Sequence, residues 1–158
     1  MTGHGTAADK LAVIPEELGC AVAALKQATT VAAILAASRT AFQIIRQAAR
    51  SCEDRDPDLF AAFFSAAGAA TEGCESLMLA VSSPPDSAVA CVRVPQGTSA
   101  KEIADWLAVL AMALAGRLTA EAAMATAAGD RAAFQNAASA AQTVHDLLTG
   151  PGHEPSPR

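Results

Sequence analysis

Apolar and small residues recur along this chain at alternating steps of three and four, the period of a helix face and not of a strand. The cleanest run is Phe60, Phe63, Ala67, Ala70, Cys74, Leu77 and Val81. It predicts a long helix opening at Pro57, with Asp56 as its cap. An earlier run, Ala24, Ala28, Val31, Leu35, Ser38, Phe42, Ile45, Ala49 and Cys52, predicts one long helix from Pro15-Glu16-Glu17 to about Ser51. Any bend in it belongs at Thr29-Thr30, where two β-branched residues sit together. A third helix follows Ser99-x-x-Glu102, a capping-box pattern, with Ile103, Trp106, Leu107, Leu110, Leu114 and Leu118 on its apolar face. Gly116 is a place for it to kink or end before restarting at Thr119. The fourth carries Phe134, Ala137, Ala141, Val144 and Leu148; Gly129 is read as the stop before it, Asp130 as its cap, and Gly150 as its end.

These seams together predict an all-α fold, an antiparallel four-helix bundle with two tight connections and one long irregular crossover at about 82–98. Pro84-Pro85-Asp86 stops the second helix. The β-branched stretch 88–94 is either an extended cover along the bundle or an edge that pairs with another copy. Residues 1–13 read as a flexible lead and 14–150 as a single domain. Residues 151–158 read as a disordered Pro/Gly tail.

Composition sharpens this picture. Of 158 residues 52% are hydrophobic but only 4% aromatic, with no tyrosine. About a quarter are alanine, so the core must form by bringing backbones close together. Alanine is also the best helix former, and its excess matches a GC-rich bacterial coding sequence. A net charge of −5 disfavours nucleic-acid backbones and anionic membrane surfaces as partners. The N-terminus has no basic region followed by an apolar run, and the most apolar stretch, 106–116, falls short of the ~20 residues of a span. A cytoplasmic location follows, with the cysteines as free thiols.

Candidate chemistry is sparse. There is no Glu-x-x-His pair within a helix, no Cys-x-x-Cys and no zinc-type spacing, so neither a metal nor another cofactor is expected. Cys52 and Cys74 fall on seams and read as core; Cys91 is the one cysteine placed to react. Glu72 and Glu75 read as a solvated face. His145 and Asp146 are neighbours on a helix, pointing about 100° apart, and are not expected to face one another.

Two short stretches resemble known motifs. Ser99-Ala100-Lys101-Glu102-Ile103-Ala104-Asp105-Trp106-Leu107 is similar to the first helix of helix-turn-helix DNA readers. The apolar run that follows it offers no recognition helix. Ala128-Gly129-Asp130 resembles the turn inside tetratricopeptide repeats, without their signature residues or a second copy.

Two features point to partners. Arg39, Arg46 and Arg50 form a basic stripe on the first helix, with Lys26 further back. It reads as a solvated face, or as a docking site for an acidic partner or carboxylate. Phe64 and Met78, just off the seam of the second helix, form with Trp106 a second apolar face. The expected function is that of a non-catalytic bundle acting by self-association, most simply as a homodimer, or by docking to a protein partner. The alternatives are a bundle binding a small apolar ligand among Phe60, Phe64, Trp106 and Met112, and an all-helical enzyme with an arginine-containing interhelical site.

Overall fold

Hydroxyl and carboxylate caps set three of the helical starts, and the computed structural model, which describes residues 16–80, 94 and 97–150, is built from helices among those residues. Helix α1 is helical over 16–27. Thr30 then caps α2 (Val31–Cys52), its side chain accepting from the Ala33 N–H at 3.1 Å. Asp56 accepts from the Asp58 N–H and opens a 3-10 turn, Pro57–Leu59, which runs into α3 (Phe60–Leu77). The Ser99–Glu102 capping box opens α4 (Ala100–Met124), with both reciprocal bonds formed. Helix α5 spans Ala128–Thr149. The all-α reading holds, and no strand occurs among the described residues.

Two hydrogen bonds fix how the helices run. Arg55, just past the end of α2, donates to the Thr98 carbonyl at 3.0 Å, immediately before α4. At the other end, Arg117 in α4 donates to the Ala28 carbonyl, just before α2, at 2.8 Å. Helices α2 and α4 are therefore antiparallel neighbours. Helix α3 packs on α2 and α5, and α5 packs on α4, so the ring reads α2–α3–α5–α4. In this ring α3 and α4 occupy opposite corners and run the same way. The chain must travel back along the bundle between them, which is why this one connection is long.

The core is built from small groups around a few large ones. Phe42, Phe63 and Phe134 are essentially fully buried, as are Leu35, Ile45, Leu107, Leu110 and Leu114. All five seam residues of α5 are buried, and on the apolar face of α4 only Trp106 stays half-exposed. Close approach is most extreme at Gly73, where a Cβ would fall within 3.0 Å of three atoms of the Phe42 ring.

Four details differ from the sequence reading. The long first helix is two helices, since Ala28 and Thr29 are not helical and Thr30 caps a new start. The seam therefore holds from Leu35 onward but not before it: Ala24 and Val31 are exposed, and α1 instead buries Leu18, Ala21 and Leu25. Helix α4 passes through Gly116 without a break, because packing of Leu114 and Leu118 outweighs one glycine's propensity cost of about 1 kcal/mol. Gly129 lies in the first turn of α5, and Ala125–Ala127 makes the connection; Arg131 donates to the Ala125 carbonyl there. Because α4 is continuous, it is also long and apolar enough to cross a membrane by length and composition. Its leucines are nonetheless in the core, and Lys101, Glu102 and Asp105 lie on its outer side. The expected disordered termini, Val81, Cys91 and nearly all of the 82–98 crossover lie outside the described residues.

Candidate docking face

The outer side of α3 is the least ordinary surface on the molecule. From Leu59 to Thr71 the chain reads Leu-Phe-Ala-Ala-Phe-Phe-Ser-Ala-Ala-Gly-Ala-Ala-Thr, with no charge over roughly three helical turns. Ala62, Phe63, Ala66, Ala67, Ala69 and Ala70 go inward. That leaves Phe60, Ala61, Phe64, Ser65 and Gly68 facing out. Phe60 is 44% and Phe64 61% exposed, and their rings stack with centroids 5.9 Å apart and planes 17° from parallel. A little further on, a Cβ at Gly68 would meet nothing within 4 Å. The face thus has relief at one end and flatness at the other. The spacing places Phe60 first on the seam, but the 3-10 turn lets Leu59 fill the core and turns Phe60 outward.

The other expected site residues fall in several places. Arg39, Arg46 and Met78 converge on a cleft of about 200 Å³ between α2 and α3, together with Gln43, Thr71 and Glu75. Arg39 is buried there at 6% exposure, not solvated as a stripe residue would be. The small Ala70 on the facing helix leaves room for its long stem. Arg50 is exposed outside this cleft, and Lys26 belongs to α1. Trp106 is half-buried against the core of α4, diagonally across the bundle from α3. Phe64 and Met78 are about 21 Å apart along α3 at 1.5 Å per residue. Phe64, Met78 and Trp106 therefore do not form one face. Nor do Phe60, Phe64, Trp106 and Met112 line one pocket; Met112 opens instead on a groove between α1, α4 and α5 with Val109 and Val22.

Arg39, Arg46, Cys74 and Glu75 all border the α2–α3 cleft; the groups with shifted titration lie elsewhere. Burial pushes the Cys52 thiol up to about 11, with the Arg55 guanidinium pulling modestly the other way. Desolvation, with Glu16 beside it, raises the Glu17 carboxyl. Asp146 is lowered, first by the Gln142 amide at 3.0 Å and then by His145. The His145 Nδ1 lies 3.3 Å from the Asp146 carboxylate, so these neighbours do meet after all. Long side chains can bend across the ~100° between adjacent positions. The nearby Thr149 hydroxyl is turned to the backbone, donating to the His145 carbonyl at 2.8 Å. Among the described residues no group of three or more His, Cys, Asp or Glu side chains is arranged to hold a metal. Comparison with family models, curated proteins and solved structures finds no match to the chain.

Proposed function

We propose that this chain is a non-catalytic bundle of the bacterial cytoplasm that acts by docking through the outer face of α3, with a second copy of itself as the occupant. The observation that carries the reading is the uncharged face bearing the exposed Phe60–Phe64 stack. Interface cores are depleted in charge and enriched in aromatic rings, and such rings are the usual energetic anchors. The face also suits its own image. Two antiparallel copies crossing near Ser65 set each ring pair over the other's flat stretch around Ser65 and Gly68, an isologous two-fold arrangement. From Leu59 to Thr71 the face carries no charge, so none is left unpaired at the centre of a self-paired interface, and the exposed Asp58 and Glu72 fall at its rim. In this reading α4 is a core helix, and the arginine cleft is a structural contact between α2 and α3.

Sedimentation equilibrium tests it. The expectation is a dimer at micromolar concentration, and a monomer for Phe64→Glu with an unchanged helical circular-dichroism spectrum. A wild-type chain that stays monomeric to high micromolar concentration sinks the reading, as does a Phe64→Glu variant that remains dimeric.

A further inference from the structure

The break between α1 and α2 holds no residue that forbids a helix. Gln27-Ala28-Thr29-Thr30-Val31 contains neither glycine nor proline, and threonine costs a helix less than either. The backbone ladder is intact up to the Ala28 N–H, which donates to the Ala24 carbonyl at 3.0 Å. It resumes where the Ile34 N–H donates to the Thr30 carbonyl at 2.9 Å. Only the donors of 29–33 lie between, and straightening would give each of them a helical acceptor. The apolar pattern agrees with a straight form. Ala21, Ala28, Leu35 and Phe42 fall at sevens, as do Ala24, Val31 and Ser38, so α1 and α2 are written in one register. The bend wastes part of it, leaving Ala24 exposed and Val31 40% exposed.

Two contacts hold the bend: the exposed Thr30 cap and the bond from Arg117 to the Ala28 carbonyl. The seat behind them is loose. Helix α1 buries Leu18, Ala21 and Leu25, but a groove of about 900 Å³ remains along α2, where alanines face alanines. Within the seat Glu17 Oε1 is shut off from solvent without a hydrogen-bond partner, a penalty that leaving removes.

We infer that α1 is an exchangeable arm. The break straightens into one helix over 16–52, α1 leaves its own bundle, and Leu18, Ala21 and Leu25 enter the same seat on a second copy of the chain. Every copy carries both arm and seat, so only the hinge changes and the exchanged dimer is two-fold symmetric. A tethered arm meets its own seat at an effective concentration of about millimolar, which keeps it at home in the native chain at micromolar concentration. The exchange uses no residue of the α3 face.

Cys20 on α1 and Ala37 and Thr40 on α2 line the groove from its two sides, so a second cysteine reports whose α1 fills the seat. Ala37→Cys and Thr40→Cys, each alone, are oxidised at about 100 μM, below the arm's own effective concentration, and run on a denaturing gel without reductant. With the native hinge the disulfide closes within one chain. Adding Thr29→Ala and Thr30→Ala removes the cap and both β-branched residues. Two hinges straighten per dimer, so the exchange constant rises on the order of a thousandfold. A covalent dimer then becomes the main product, is absent from the same variant with Cys20→Ser, and gives way to monomer when the sample is diluted to low micromolar before oxidation. Hydrogen exchange of the amides of 29–33 slows in the dimer. Phe64→Glu leaves this dimer in place, so the arm and the α3 face are judged separately. A hinge variant that crosslinks only within its own chain overturns the exchange. So does a covalent dimer that persists in Cys20→Ser or vanishes with Phe64→Glu, and so does the lack of any Cys20 crosslink in both reporters.

Discussion

Replacing Gly73 by alanine should destabilise this protein, although the same change elsewhere in its helices should stabilise it. Glycine within a helix costs about 1 kcal/mol relative to alanine, through backbone entropy. By propensity alone Gly73→Ala is therefore a gain. The added methyl, however, would lie within 3.0 Å of three atoms of the Phe42 ring. Phe42 is fully buried in the same cluster as Phe63, Ala66 and Ala70, and although it borders the cleft between α2 and α3, shifting the ring toward that cleft sacrifices those packed contacts. Overpacking of a filled core costs about 1–3 kcal/mol, and an overlap with three ring atoms belongs in the upper part of that range. The net expectation is a loss of about 1–2 kcal/mol. Gly116 in α4 is the control, exposed and with nothing within 4 Å of a would-be Cβ; Gly116→Ala should gain about 0.5–1 kcal/mol. Urea denaturation followed by circular dichroism at fixed protein concentration separates them. With m near 2 kcal/mol/M, the two midpoints should differ by about 1 M. Phe42→Leu in the Gly73→Ala background should recover part of the loss, because the shorter side chain vacates the contested space. If Gly73→Ala proves as stable as Gly116→Ala, the close approach of α2 and α3 at this point is wrong.

Further expectations concern the break between α1 and α2 and the buried thiol. Thr30→Ala removes the side-chain acceptor that starts α2 and should cost about 1 kcal/mol, with faster amide exchange confined to the first turn of α2. Unchanged exchange there would remove the cap's role. Arg117→Met deletes the bond to the Ala28 carbonyl and should cost about 1–2 kcal/mol, below the full value of a charged hydrogen bond because burying the guanidinium Nε without a partner is itself a penalty. Hydrogen exchange should accelerate over 16–27, and no acceleration there would count against Arg117 as the anchor of α1. Cys52 has its folded-state pKa raised from 9.0 to about 11, so the unfolded chain loses this proton first. Stability should be intact below pH 9 and fall by up to about 1.4 kcal/mol per pH unit between 9 and 11. Cys52→Ala should flatten that slope, and an equal slope in the variant would exclude the thiol as its source.

Much of the bundle is visible in the spacing of residues, because a helix face buried against a neighbour repeats at the period of the helix whatever that neighbour is. Leu107, Leu110, Leu114 and Leu118 on α4, and Phe134, Ala137, Ala141, Val144 and Leu148 on α5, are buried where their spacing places them. The capping box at Ser99 is equally local and forms as written. Spacing misleads where two local tendencies conflict. Across Ala28–Thr30 the three-four rhythm continues, yet a threonine free to cap its own third neighbour ends one helix and begins another. At Gly116 the conflict resolves the other way, in favour of packing.

The docking face and the groove belong to a different class of information. Spacing separates Phe64 from the buried Phe63, but nothing local marks Phe60, the expected first seam residue, as exposed until the 3-10 turn sets the rotation of α3. The convergence of Arg39, Arg46 and Met78 requires knowing that α3 lies beside α2. The separation of Trp106 from Phe64 requires knowing that α4 lies diagonally opposite. The amino-acid order alone determines that helices form, where most are capped and which stripe each one hides, since these depend on interactions within a few residues. The fold decides which hidden stripes meet and which exposed side chains end up together, because those outcomes depend on the order of helices around the ring and the sense in which each one runs.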